Sequence, residues 1–291
     1  MSLPYITKRN VLVISVLLLI LLLFSCFLKA NQKTTPQPMP VPNQQGQYEI
    51  KVHLGESAQD VYRRNPNMFK VNASGVGPGF MRPVLPFKEI EKIKIVLMDT
   101  DQQPIFAMDH IKDIRLVNDD NIPHLGVDNL LVDTATSGEN LNDKQLYELY
   151  AKIRDMLKNY GWQAYIDQED PRVFGKASWE NKSIGLKDGF YIDRYEKWQK
   201  YLDDGDIFVM FKRENLIAKV SVSSVLSDIE IETAAASYLY RYDEKTRVEH
   251  WREYLQQDIP KWKISREKQE TEFRKQGISI DENYIDVQLP K

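Results

Sequence analysis

Hydrophobic and polar positions divide the chain into an apolar run, a polar spacer and a long segment of mixed periodicity. The apolar run, residues 11–28, carries no charged side chain. The spacer that follows is rich in Gln and Pro, with a proline at every second position from Pro36 to Pro42. From residue 48 onward, alternating patterns and patterns with a 3.6-residue period succeed one another, which is typical of the strands and helices of a folded domain.

The first half of this domain predicts strands and one short helix. Residues 48–54 alternate between apolar and polar side chains, and Ser57 opens a capping-box-like sequence for a helix that ends near Pro66. Further apolar runs predict a strand meander and, after it, one short strand. These runs are 92–98, 105–108, 111–117 and 130–132.

The second half repeats this order of helix and strands. Asn142 and Gln145 fit an N-cap and capping box for a helix over 142–160, which carries one apolar stripe and which Gly161 ends. The other predicted elements are a strand at 162–166, a helix at 193–202, a hairpin with its turn at Glu214-Asn215, and a strand at 233–243.

Runs of strands separated by single helices predict an α+β fold, with antiparallel sheets and single packing helices. The repeated order also indicates two similar units, 48–140 and 141–246. The remaining segment, 247–291, predicts a helical arm that is broken at Pro260 and is polar nearly all round beyond it. Such a segment is either a solvated surface helix or an arm that contacts a partner.

The apolar run predicts a membrane segment. Its eighteen residues span about 27 Å as a helix, the lower limit for crossing a hydrocarbon core. Lys8 and Arg9 precede it, which places the N-terminus, residues 1–10, in the cytoplasm. The linker at 29–47 and the domain at 48–291 are then expected in the periplasm, tethered to the inner membrane.

Cys26 leaves a second interpretation of the same segment open. Leu23-Phe24-Ser25-Cys26 is similar to the lipobox of bacterial lipoproteins, although Phe24 is bulkier than the residue usually found there. In that case the Cys26 thiol carries lipid after signal cleavage, and otherwise it lies within an uncleaved helix. Both interpretations leave the domain on the periplasmic side of the inner membrane.

Composition narrows the classes of function. Three of the 39 basic residues and none of the 42 acidic residues lie in the first 30 positions, so the remainder carries 36 basic and 42 acidic side chains. A mildly acidic body with both signs interspersed is a poor match for nucleic acid. Because Cys26 is the only cysteine, we expect neither a disulfide nor a Cys-ligated metal in the folded domain.

Two Asp-Thr pairs are the strongest candidates for catalytic chemistry. Asp99 and Asp133 each follow an apolar run, which is how an aspartic protease presents its two carboxylates. That family needs Gly after Asp-Thr, where this chain has Asp101 and Ala135. We therefore expect a protein without catalytic residues, with the Asp99/Asp133 dyad as the enzymatic alternative.

Metal and cofactor sites are also not expected. Asp119, Asp120 and His124 have side chains that ligate divalent cations, but a solvated turn explains the same residues. The glycines at 75–80 do not follow a strand and open a helix, as the glycines of a phosphate-binding loop do.

Both ends of the chain carry a family resemblance. It rests on the hydrophobic N-terminus with Cys26 near its end, on the opening "YEIKVHLGESAQDVYRRNP" at 48–66, and on the tail "EKQETEFRKQGISIDENYIDVQLP" at 267–290. In these stretches the chain resembles a loose group of bacterial envelope proteins encoded beside type VI secretion spike and lipase-effector genes, some of them named immunity proteins. The resemblance implies a tethered, non-enzymatic protein that binds and blocks a toxic enzyme in the periplasm.

Exposed aromatic anchors are the expected contacts of such a binding protein. The candidates are Trp179, in the loop 175–189, and three tyrosines on one face of the predicted strand 233–243, namely Tyr238, Tyr240 and Tyr242. Core packing is the alternative for each of them. A structural scaffold component of the envelope or of a secretion system is the alternative function.

Overall fold

The structure is a computed structural model that describes residues 39–69, 78–85, 87–119, 121–135, 141–202 and 206–289. The predicted cytoplasmic and membrane segments, 1–10 and 11–28 with Cys26, lie outside the described residues. No helix among the described residues combines the length and the apolar character needed to cross a membrane. The chain from Met39 onward clusters as one unit.

Strands and short helices alternate along the described residues. The strands are β1 (Tyr48–Val52), β2 (Pro78–Met81), β3 (Ile93–Met98), β4 (Pro104–Met108), β5 (Asp113–Asp119), β6 (Val127–Ala135), β7 (Gln163–Ala164), β8 (Ile207–Arg213), β9 (Leu216–Val222) and β10 (Ser227–Thr233). The α-helices are α1 (Ala58–Arg64), α2 (Asp143–Asn159), α3 (Gly175–Glu180), α4 (Tyr195–Tyr201), α5 (Ala234–Leu239) and α6 (Trp251–Lys275). Single 3-10 turns lie at Phe87–Lys92, Pro123–Leu125 and Gly189–Tyr191, and a π turn at Thr246–His250 precedes α6.

These strands form two sheets. The three-stranded sheet has the order β1-β3-β4, with β1 parallel and β4 antiparallel to β3. The seven-stranded sheet has the order β2-β5-β6-β10-β9-β8-β7, and every neighbouring pair in it is antiparallel. The α+β class and the predominantly antiparallel pairing predicted from the sequence are therefore confirmed.

The sheet topology does not support a division into two similar units. Strand β6 of the first half pairs with β10 of the second half, so a boundary near residue 140 would cut a continuous sheet. The predicted meander is divided as well, because β5 leaves β3 and β4 and joins the seven-stranded sheet. The strand predicted at 162–166 is shortened to the two residues of β7.

One face of the seven-stranded sheet, which we call the inner face, lies in the main core. Most alternate residues of its central strands are apolar and buried there, together with apolar residues of the three-stranded sheet and of α2. On β10 the inner-face residues are Ile229 and Ile231. Trp162, just after α2, connects the layers by donating its indole N–H to the carbonyl oxygen of Ile105 at 2.7 Å.

The predicted strand at 233–243 is wrong. Residues 234–239 form α5, and Thr233 is its N-cap, accepting a hydrogen bond from the backbone N–H of Ala236 at 3.1 Å. A run of three alanines after a good N-cap favours a helix over a strand. The three tyrosines therefore do not share one face of a strand.

The predicted helix break at Pro260 is also wrong, because α6 runs continuously through this residue. A proline inside a helix costs about 3 kcal/mol, so packing on both sides of it must compensate. Trp251, Leu255 and Phe273 are buried on the domain. Pro260 itself faces solvent.

Polar residues also fix α6 to the domain. Glu270 is nearly fully buried and pairs with Arg172 at 2.8 Å, while Arg266 donates two hydrogen bonds of 2.8 Å to the carboxylate of Asp286. Glu270 also pairs with Arg274, four residues further along α6, at 3.4 Å. The C-terminal helix is therefore packed along the domain through buried ion pairs, and it is not a freely solvated arm.

Candidate functional site: the outer face of the seven-stranded sheet

The second face of the seven-stranded sheet, which we call the outer face, carries charged residues at many of the positions that alternate with the core, whereas Met210 and Ile217 on the same face are buried against α5 and α6. Strand register places one row of directly opposed residues across five strands. In spatial order this row consists of Phe208, Ser221, Asp228, Asp133 and Asp113. Three carboxylates thus stand side by side on adjacent strands, an arrangement that disfavours the folded state.

Arginine side chains compensate only part of this row. Arg115 contacts Asp133 at 2.9 Å and Asp113 at 3.6 Å, and Arg82 contacts Asp113 at 3.6 Å. Within the described residues, no cation lies within 4 Å of Asp228. Burial, followed by the charges of Asp133 and Glu230, raises the pKa of Asp228 above its ordinary value.

The next two rows toward α5 hold the second charged group of the outer face. Lys219 lies 2.8 Å from Glu232 and 3.3 Å from Glu230, and the side-chain amide of Asn129 donates to Glu230. Burial raises the pKa of Glu232, an effect that the charge of Lys219 partly offsets. Among the described residues, the outer-face strand positions of these rows carry five carboxylates and three cations, Arg115, Lys212 and Lys219, and Arg82 lies beside them, so carboxylates exceed cations by one.

Apolar side chains are exposed at the Phe208 end of the row. Phe208 is 52% exposed, and the β9–β10 connection presents Val225 and Leu226, which are 64% and 41% exposed. This connection is ordered, because the Ser223 hydroxyl oxygen accepts the backbone N–H groups of Val225 and Leu226 at 3.2 and 3.0 Å. The two apolar side chains therefore project from a defined turn, as anchor residues of protein interfaces do.

A buried carboxyl group lies at the opposite end of the outer face, next to Tyr240. Asp128 is fully buried at an irregular position of β6, and it accepts a hydrogen bond from the Tyr240 hydroxyl at 3.1 Å. Its second carboxylate oxygen has no hydrogen-bond partner among the described residues. Burial, together with the charges of Asp119 and Glu232, raises the pKa of Asp128 to about 7.

The predicted aromatic contacts do not form one surface. Trp179 is half-buried and donates its indole N–H to the carbonyl oxygen of Asp188 at 2.8 Å. Tyr238 is fully buried, with its hydroxyl 2.9 Å from that of Tyr165. Core packing thus accounts for Tyr238.

The two other predicted tyrosines have local partners. Tyr240 is 37% exposed and carries the guanidinium of Arg247 over its ring at 4.7 Å. The Tyr242 hydroxyl donates to the carboxylate of Asp258 on α6 at 2.9 Å. Each of these two tyrosines therefore connects α5 or its C-terminal turn to a neighbouring element.

The two carboxylates of the protease hypothesis lie on different sheets. Asp99 follows β3 and accepts the backbone N–H groups of Asp101 and Gln103 at 2.9 and 2.8 Å, so it closes its own turn. Asp133 lies on β6 and pairs with Arg115. The structure does not bring the two Asp-Thr pairs together.

Two of the three residues considered for a cation site, Asp119 and His124, have other partners, and Asp120 lies outside the described residues. Asp119 is buried, accepts the backbone N–H of Asn121 at 2.9 Å and pairs with Arg247 at 3.5 Å. His124 stacks on Trp251, with ring centroids 5.7 Å apart, and burial lowers its pKa. Across the described ranges there is no group of three or more His, Cys, Asp or Glu side chains arranged to hold a metal ion.

Sequence reasoning missed the acidic row and Asp128. The first five residues of 207–213, IFVMFKR, are all apolar, so the sequence does not mark Phe208 as exposed, and only strand register shows that it begins a row of acids. Comparisons of the chain with protein-family models, with curated proteins and with solved structures gave no match.

Proposed function

We propose that this chain is a membrane-tethered periplasmic binding protein whose outer face docks a partner protein with a basic surface. In the immunity hypothesis the partner is a toxic effector enzyme delivered by type VI secretion, lipase-like in the resemblance, and docking blocks its activity. The chain then acts by occlusion and needs no catalytic residue and no cofactor.

The row Phe208, Ser221, Asp228, Asp133, Asp113 is the observation that carries this proposal. It combines an exposed aromatic anchor with carboxylates that are incompletely neutralised within the chain. A partner that supplies Lys or Arg side chains relieves the repulsion along the row, and an acidic surface accelerates encounter with such a partner. Apolar anchors with a charged rim are the usual composition of a protein interface.

Co-purification from the native envelope tests this function. An affinity tag within residues 31–47 is compatible with either interpretation of the N-terminus, because it lies after Cys26. We expect a co-encoded secreted enzyme to co-purify with the full-length chain and to lose activity when the chain is added. The variant Phe208→Asp should lose the partner, whereas Ile264→Asp, at a 67% exposed position of α6, should retain it.

The outcome also separates the two functions. A partner enzyme that binds but keeps its full activity contradicts inhibition and favours the scaffold alternative. Retention of the partner by the Phe208→Asp variant contradicts docking through the outer face.

A further inference from the structure

A groove between α6 and the C-terminal segment is a second binding feature, on a different part of the domain. Its volume is about 620 Å³, within the range of ligand-binding clefts. One wall is a single stripe of α6 with helical spacing, formed by Arg252, Leu255, Gln256, Ile259 and Lys263. The opposite wall is the extended segment 286–289.

Charge is distributed unevenly in this groove. Arg252 and Lys263 line it, and no carboxylate lies within 4 Å of either cation among the described residues. Asp286 also lines the groove, but its two oxygens accept hydrogen bonds from Arg266. The groove therefore offers an occupant two cations that have no carboxylate partner among the described residues, one of which, Arg252, lies with its guanidinium over the Trp251 ring at 4.4 Å.

The two cations lie far apart, with apolar residues between them. They are eleven positions apart on α6, which corresponds to about 16 Å along the helix axis. Leu255 and Ile259 lie between them on the same stripe, and Val287 and Leu289 face this stretch from the other wall. A ligand that uses both cations must carry two anionic groups at either end of an apolar centre.

The second wall also offers hydrogen-bond donors. In the described part of the chain, the backbone N–H groups of residues 285–289 have no hydrogen-bond partner. The carbonyl oxygen of Val287 accepts only a long bond of 3.4 Å from the Gln168 amide. An extended segment with unused N–H groups is suited to pairing with another strand.

We propose that this groove binds an extended acidic peptide segment of a partner protein, with a carboxylate at each end of an apolar residue. Carboxylates at positions i and i+4 of a strand are about 13.5 Å apart and share one face with position i+2. The long side chains of Glu, Arg and Lys cover the remaining distance. A single-chain amphiphile fits less well, because it has one anionic head and no backbone to pair with residues 285–289.

Fluorescence polarisation on the full-length chain in nanodiscs tests this proposal. The probe is a fluorescein-labelled peptide with the sequence Glu-Thr-Leu-Thr-Glu. We expect saturable binding that Arg252→Gln and Lys263→Gln each weaken about three- to tenfold, because each removes one charge pair. The matched control is Lys261→Gln, since Lys261 is on α6, does not line the groove and pairs with Asp258 at 2.8 Å. This variant should bind the probe within twofold of the unaltered chain.

Comparison ligands define the results that overturn the proposal. A peptide with Gln in place of both Glu residues should bind at least tenfold more weakly than the probe. Equal binding of the two peptides, or binding that neither Arg252→Gln nor Lys263→Gln weakens, overturns the proposal. Dodecanoate is compared in the same assay. If it binds more tightly than the peptide, and if Arg252→Gln and Lys263→Gln abolish that binding, the groove is an amphiphile site and the proposal is overturned. The groove and the outer face use different residues, so failure of this test leaves the proposed function untouched.

Discussion

The inner and outer faces of the seven-stranded sheet are made by alternate residues of the same strands, yet they differ in every physical respect. On β10, Ile229 and Ile231 are fully buried in the main core, whereas Asp228 and Glu230 are half-buried and charged. The inner face is built mainly from apolar contacts, with a few satisfied polar groups such as the Thr134 hydroxyl, which donates to the carbonyl oxygen of Ser227 at 3.0 Å. The outer face holds like charges side by side, which only partial ion pairing offsets.

This difference indicates that the inner face contributes mainly to stability and the outer face to recognition. Apolar packing on the inner face is the main source of stability for the sheet. The outer row weakens the sheet by opposing like charges, and a feature that costs stability while remaining accessible is typical of a recognition surface. Substitutions on the two faces should therefore separate stability from binding.

The largest expected loss of stability follows truncation on the inner face. Ile231→Ala removes a fully buried side chain and leaves a cavity, and it should lower the free energy of unfolding by about 2–5 kcal/mol. Ser221→Ala, on the neighbouring strand but on the outer face, should change it by less than about 0.5 kcal/mol. Urea unfolding of both variants measures the contrast, and equal losses would contradict the assignment of the faces.

The second largest effect concerns Asp128, at the buried end of the outer face. Its pKa in the folded chain, about 7, lies above the value near 3.9 of an unfolded chain. The native state therefore loses stability as the pH rises from about 4 to 7, and the loss stays constant above pH 7. Asp128→Asn removes this loss, so it should stabilise the chain more at pH 8 than at pH 4, by about 3 kcal/mol.

Thermal unfolding of the full-length chain at both pH values measures this effect. A pH-independent effect of the Asp128→Asn substitution would show that the Asp128 carboxyl titrates at its ordinary pKa in the folded chain.

A smaller effect is expected at Lys219, the cation of the second charged row. Lys219→Met leaves Glu232 buried without its cation, which should cost about 2–3 kcal/mol at neutral pH. The pKa of Glu232 is already raised in the folded chain and should rise further in this variant. Because protonation then favours the folded state, the deficit should shrink as the pH falls. Adding Glu232→Gln should recover most of it at neutral pH, and a double variant no more stable than Lys219→Met would contradict the pairing.

The smallest effect on stability is expected at Asp228, the uncompensated acid of the first row. Asp228→Asn removes one of three adjacent like charges and should stabilise the chain by about 0.5 kcal/mol at neutral pH. The raised pKa of Asp228 implies that this gain disappears once the pH falls below the unfolded-state value, where both states are protonated. The same substitution should weaken partner binding, so the variant gains stability and loses affinity. If the affinity for the partner were unchanged, the acidic row would have no part in partner recognition.

Several predictions that rest on residues a few positions apart are confirmed, whereas contacts between residues distant along the chain were not predicted. The capping box of Asn142 and Gln145 is present, with hydrogen bonds of 2.9 and 3.1 Å, because it depends on residues three apart. The hairpin at Glu214-Asn215 is confirmed for the same reason. By contrast, the burial of Glu270 depends on Arg172, 98 positions away, which no local pattern indicates.

The acids of the outer face are a second example of neighbours that local sequence patterns do not reveal. Each of these acids looks like an ordinary solvent-facing residue of an alternating strand. Asp228 and Asp133 become neighbours only through the register between β10 and β6. Three alanines after Thr233 were a local signal for α5, but the alternating tyrosines beyond them were given more weight as evidence of a strand.

Site-specific photocrosslinking in the native envelope tests whether a partner docks through the outer face. A photoreactive amino acid replaces Phe208 in the full-length chain, and a second strain carries it at Ile264 of α6, which is also exposed. We expect one crosslinked partner from position 208, attached through a basic surface, and no such product from position 264. Crosslinking of the same partner from position 264 but not from position 208 would contradict docking through the outer face.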